Sequence, residues 1–190
     1  MNDASNDLPD PEERPDRPSI TLAIRPDQIE HAPEKITWET TTLTNAGLPA
    51  LLRFAAWHLE QGAHRLFLYL DDADPEKAKQ LNRHPKQRVT LCDATYWKKR
   101  GNRPEKHQPR QTMNAAHALS RAKDVDWLLH CDVDELLWPS TRSVESRLAG
   151  LPAYCLCARV RPALLDALRS HGRLLEASID ADALIQRHFA

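Results

Sequence analysis

Hydrophobic positions fall along this chain in two alternating patterns: short dense runs, and longer stripes that recur every three or four residues. The dense runs lie at residues 36–43, 65–70, 88–92 and 127–131. They are apolar or rich in β-branched residues, and each predicts a strand. Between them, Leu52, Ala55, Ala56 and Leu59 repeat at i, i+3, i+4 and i+7, as do Ala115, Ala118, Leu119 and Ala122 further on. Each set predicts a helix with one core-facing stripe. Pro49, Pro75 and Pro109 sit where helices start, since a missing N–H is harmless there. Gly62 is placed to stop the first helix. Shorter helices are expected over 75–81, 143–149 and 163–169, with a strand over 154–160 and one more helix near the end. Strands alternating with helices, and no hairpin signal among them, imply βαβ units. The expected fold class is α/β, with a mostly parallel central sheet flanked by helices.

Two stretches alter that picture at the margins. Residues 1–34 are polar, and Pro9, Pro11, Pro15, Pro18, Pro26 and Pro33 interrupt any helix. They are expected to be a flexible lead-in, with residues 20–24 a candidate edge strand and the domain proper spanning 35–190. No apolar run is long enough to span a bilayer, and no basic-then-apolar leader opens the chain. The sequence therefore reads as cytoplasmic, with peripheral membrane association left open. Net charge is −1, which gives no field to draw nucleic acid. The 4 cysteines form no C-x-x-C pair and read as reduced thiols. The spacing of Cys155 and Cys157 does not suit a common zinc site.

The candidate chemistry gathers where dense runs end. Run 127–131, dense enough in apolar residues to suit a strand buried on both faces, gives way to Asp132-Val133-Asp134-Glu135. Open α/β sheets place ligands at the carboxyl ends of their strands. In a continuing strand Asp132 and Asp134 would point to opposite faces. A turn at Val133 would let both approach one Mn²⁺ or Mg²⁺, ions that take a few carboxylate oxygens and leave positions for phosphate oxygens. Run 65–70 likewise ends in Asp71 and Asp72. Two readings stand there: a carboxylate accepting from a nucleotide base or ribose, or an acid favoured by the helix start at Asp74-Pro75-Glu76. Arg110 and Gln111 fall in a helical first turn, where backbone donors suit an anion. The basic loop 98–107 either draws in a phosphate or is a solvated face. Trp57 and His58 lie off their helix's stripe and read as packing and surface.

In order, these residues resemble a known family. They are Thr44-Asn45-Ala46-Gly47; Arg53-Phe54-Ala55-Ala56-Trp57-His58 with Gly62; Phe67-Leu68-Tyr69-Leu70-Asp71-Asp72; Arg110-Gln111; and Asp132-Val133-Asp134-Glu135-Leu136. Together, over residues 36–139, they resemble the GT-A glycosyltransferases, and most closely the family 2-like group. The resemblance implies inverting transfer of a sugar from a nucleotide-sugar, usually UDP-linked, to a hydroxyl acceptor such as a glycan or lipid-linked sugar. It implies Mn²⁺ or Mg²⁺ on Asp132 and Asp134, and a nucleotide contact from Asp71 or Asp72. Arg110 and Gln111 would support the phosphates or the donor sugar, and Glu135 would orient the turn or a metal-bound water. No general base is identifiable. The part after Glu135 is short for the family, and Asp180 and Asp182 read as a helix start. A non-catalytic donor-binding relic is the alternative. A haloacid dehalogenase-type phosphatase also uses D-x-D after a strand. It fits less well, because it expects Thr or Val where Leu136 stands and uses the domain's first strand.

Overall fold

The structure is a computed structural model that describes residues 35–123, 125–137, 143–152, 155 and 180–189. The segment 1–34 and the elements expected at 154–160 and 163–169 lie outside the described residues. Four strands form one sheet: β1 (Trp38–Thr44), β2 (Arg65–Leu70), β3 (Gln87–Leu91) and β4 (Trp127–His130). Their order is β3-β2-β1-β4, and every pairing is parallel. Among the described residues, six helices accompany them: α1 (Leu48–Glu60), α2 (Pro75–Leu81), α3 (Ala94–Lys98), α4 (His107–Arg121), α5 (Val144–Ala149) and α6 (Ala181–Phe189). The fold is α/β with a parallel sheet flanked by helices, compatible with a GT-A architecture. Among the described residues, no helix is long and apolar enough to cross a membrane.

Alternation along the strands sorts the core into two layers. Trp38, Leu66, Leu68, Leu70 and Cys131 face α1, α2 and α5, with Phe54, Leu59, Leu81 and Val144 packed on them. Leu43, Phe67 and Tyr69 face α3 and α4, against Tyr96, Trp97 and Ala118. α1 closes as expected: Gly62 takes φ 93°, its N–H meets the Leu59 carbonyl, and the Ala63 N–H reaches the His58 carbonyl. That paired end needs a left-handed residue, which glycine supplies without strain. α6 packs on α1, where Arg187 and His188 both meet the Glu60 carboxylate, at 2.5 and 3.2 Å.

Three expectations are corrected. The run leading to Asp132 was expected to be a strand buried on both faces. β4 is instead half-buried, because among the described residues it pairs with β1 alone. The strand that is buried throughout is β1, although four of its seven residues are threonines. It lies between β2 and β4, and threonine's branched Cβ suits a pleated surface. On α4 the buried positions are Asn114 and Ala118, and Leu119 is 63 % exposed. A polar Asn114 belongs on the inner face because Tyr96 Oη donates to its Oδ1 and its Nδ2 reaches Cys92 Sγ at 3.7 Å. Finally, His58 is fully buried rather than on the surface.

Candidate active site at the strand ends

β1 and β2 lie to one side of the sheet's point of reversal, and β4 follows on the other. The crevice outside the carboxyl ends of the strands at such a point is where open α/β sheets bind ligands. Two acidic strand ends, those of β2 and β4, lie on that edge of the sheet with β1 between them.

At the end of β2, the Asp71 N–H donates to the Thr44 carbonyl at 2.9 Å and extends the ladder by one residue. Ala73 then turns the chain with φ 51°, an uncommon value for a residue with a Cβ. The two readings left open for this end divide between neighbours. Asp74 caps α2, accepting from the Glu76 and Lys77 N–H groups at 2.9 and 3.2 Å. Asp72 pairs with Lys77, whose ammonium also donates to the Ala46 carbonyl at 3.0 Å. Asp71 takes no part in that cap. Its side chain is 8 % exposed, and Oδ2 receives two guanidinium groups, Arg103 at 3.0 Å and Arg110 at 3.3 Å. Its Oδ1 is buried and has no hydrogen-bond partner among the described residues.

At the end of β4, Asp132-Val133-Asp134-Glu135 forms a closed turn. The Glu135 N–H donates to the Asp132 carbonyl, and the Asp132 N–H donates to Glu135 Oε2, both at 3.0 Å. The reciprocal pair works as a capping box does at a helix start. Asp132 and Asp134 are both exposed. Gln111 Nε2 donates to Asp132 Oδ1 at 2.7 Å, and neither Asp132 Oδ2 nor Asp134 has a hydrogen bond among the described residues. Among the described residues, no group of three or more His, Cys, Asp or Glu converges as a ready-made cation cage. Two accessible carboxylates do fit a hard divalent ion that completes its shell with water and phosphate oxygens.

α4 connects the two ends. Adjacent side chains in its first turn part company: Arg110 reaches Asp71, and Gln111 reaches Asp132. Arg110 is 11 % exposed and also donates through Nη1 to the Pro104 and Glu105 carbonyls, so it pins the loop that enters α4. The helix begins at His107, two residues before Pro109, which is tolerated in a first turn whose N–H groups lack helical partners.

Behind Asp132, Cys131 Sγ lies 3.6 Å from Thr40 Oγ1 and 3.9 Å from His58 Nε2. His58 Nδ1 stands 2.8 Å from the Phe54 carbonyl, which can only accept. The proton is therefore on Nδ1, leaving Nε2 to accept from the thiol. Burial pushes the His58 pKa down to about 4, the Phe54 bond opposing weakly, and burial pushes the Cys131 thiol up to about 12. Both are neutral at physiological pH and serve as packing beneath the turn. Trp57 Nε1 donates to the Leu137 carbonyl at 2.8 Å and holds the chain as it leaves.

Of the six sequence-predicted residues, Asp71, Arg110, Gln111 and Asp132 are brought together by direct contacts. Asp134 shares the turn with Asp132, and Asp72 is occupied by Lys77. The residue missed as an individual is Arg103. The basic loop drew notice as a whole, but nothing local marks the one cation that pairs with a carboxylate 32 positions earlier. Helix α3 was also missed. Its signal was Asp93, whose Oδ1 accepts the Tyr96 N–H at 2.7 Å.

The chain is similar in sequence to known proteins. The glycosyltransferase-like protein At2g41451 of Arabidopsis thaliana is 28 % identical over 154 residues, covering 68 % of this chain and 34 % of the relative. The chain thus spans about a third of the length of that curated relative. No solved structure matches it. The model of glycosyltransferase family 92 matches residues 45–152, which is more than half of the chain and holds all six site residues. The motif resemblance thus holds at the level of glycosyltransferase, and the family is a different one from the family 2-like group: the chain belongs to glycosyltransferase family 92.

Proposed function

We propose that this chain binds a nucleotide-sugar across the ends of β1, β2 and β4 and transfers its sugar, with inversion, to a hydroxyl of a glycan or lipid-linked acceptor. The observation that carries the reading is the divergence of Arg110 and Gln111. Together they link a buried carboxylate and an exposed acidic turn through one turn of α4. The roles follow the GT-A template that the motifs resemble.

Asp71 would turn Oδ1, which is buried in the free chain, toward an N–H or O–H of the base or ribose, while Arg110 neutralises the carboxylate from the other side. A buried acceptor with no protein donor discriminates strongly for a ligand that supplies one. Asp132 and Asp134 would hold Mn²⁺ or Mg²⁺. The bound cation would stabilise charge developing on the departing nucleoside diphosphate. Gln111 fixes the Asp132 carboxylate through one oxygen and leaves the other free. Glu135 is committed to closing the turn and keeps both aspartates at the crevice. Transfer also needs a base within reach of the acceptor's hydroxyl. Donor binding without turnover would therefore mark the relic reading.

Calorimetric titration of UDP, with and without Mn²⁺, tests the donor site, and ADP, GDP and CDP serve as comparators. Metal-dependent binding that falls more than tenfold in Asp134→Ala supports the reading. Silence of a folded chain toward all four nucleotides overturns it. Release of sugar from a UDP-sugar, with or without an added acceptor, separates enzyme from relic.

A further inference from the structure

Asp71 carries more positive charge than it needs. One guanidinium suffices to pair a carboxylate, and Arg110 already does so in a buried setting. Arg103 adds a second full charge to the same oxygen. The two arginines are not equivalent. Arg110 is held by Asp71, two loop carbonyls and a 3.5 Å approach to His107 Nδ1. Arg103 is 45 % exposed, and its one hydrogen bond among the described residues is to Asp71. It stands just after Gly101 and Asn102, which both have positive φ, in the turn between α3 and α4. Withdrawing Arg103 would leave Asp71 still paired. Withdrawing Arg110 would leave a buried carboxylate with only an exposed partner.

We propose that Arg103 is an exchangeable phosphate-binding residue. It rests on Asp71 in the free chain and turns to the diphosphate of a bound nucleotide, while Arg110 keeps Asp71 neutralised. This rests on the donor-site reading above and adds the residue that senses the ligand's charge. The exchange trades one ion pair for another, so it carries little desolvation cost at a half-exposed position. An anion gains from it and a neutral nucleoside does not. The uncompensated positive charge beside Asp71 also complements the negative turn at Asp132, as a ligand that joins a diphosphate to a divalent cation requires.

The test is a calorimetric series with uridine, UMP and UDP, in Mn²⁺, on wild type, Arg103→Gln and Arg103→Lys. For Arg103→Gln, UDP is expected to bind about tenfold more weakly, the scale of one partly exposed charge-assisted hydrogen bond. Uridine affinity is expected to stay within twofold, and Arg103→Lys to recover part of the UDP affinity. Unchanged UDP affinity in Arg103→Gln, with wild type binding normally, overturns the exchange alone. Equal losses for uridine and UDP also overturn it, because Arg103 would then act only by holding Asp71. Wild type silent to UDP and to the other nucleoside diphosphates overturns the donor site and the exchange together.

Discussion

The two acidic strand ends lie on the same edge of the sheet and are built on opposite principles. Asp71 is buried, over-neutralised by two arginines, and has one oxygen with no partner among the described residues. Asp132 and Asp134 are exposed, touched by a single neutral amide, and backed by an uncharged histidine and thiol. One end conserves a charge inside the protein by pairing it. The other leaves its charge uncompensated and meets solvent. An unpaired anionic turn beside a surplus guanidinium amounts to two halves of a charge pattern that a ligand bearing both signs would complete.

Arg110→Ala breaks the buried end most severely. It strands Asp71 with one exposed partner and frees the Pro104 and Glu105 carbonyls, and a loss of about 3 kcal/mol is expected, the scale of breaking a buried pair. Arg103→Ala should cost less than about 0.5 kcal/mol, the range of an exposed pair. Urea unfolding of both variants checks the contrast, and equal losses would remove it.

The next effect in size belongs to the packing beneath the exposed end. His58 stays neutral in the folded state down to about pH 4, whereas in the unfolded chain it protonates near its ordinary value of 6.5. Between those values the unfolded state binds the extra proton, so stability falls as pH falls across this window and the loss from His58 levels off below it. The full effect is on the order of 3 kcal/mol, at about 1.4 kcal/mol per pH unit. Denaturant midpoints at pH 7 and pH 5 should differ in wild type and differ much less in His58→Phe. A slope that persists unchanged in the variant would assign it to other groups.

A smaller effect than that of His58 sharpens the distinction between neighbours. Asp72→Asn weakens a partly exposed pair with Lys77 and should cost no more than about 1 kcal/mol. It should leave UDP affinity within twofold, whereas Asp71→Asn should abolish detectable UDP binding. Calorimetry on the pair decides whether the nucleotide contact belongs to Asp71.

Local chemistry made much of this legible. β2 and α2 lie where the apolar run and the Asp74-Pro75 start put them, because both signals act within a few residues. The turn at Val133 followed from needing two aspartates on one side. Long-range pairing was not legible. Periodicity cannot reveal that β4 has one neighbour, that His58 is enclosed by Phe54, Trp38 and Cys131, or that Asn114 satisfies Tyr96. Arg103 was hidden for the same reason, since one arginine in a basic run looks like the next until the fold gives it a carboxylate.

The strand order has a consequence for how the molecule comes together. β1 meets β2 through a short excursion, while its other neighbour, β4, arrives only after β3, α3 and α4 have been made. Contacts between near neighbours in sequence close smaller loops and cost less entropy to form. The half-sheet that ends in Asp71 can thus take shape on a nascent chain before the half bearing Asp132 has been synthesised. β1 is a seam, with one acidic end on either side of it. A chain nicked in the basic loop would part into an early piece and a late piece with one charged end each. Regained nucleotide affinity would report that the two pieces had rejoined.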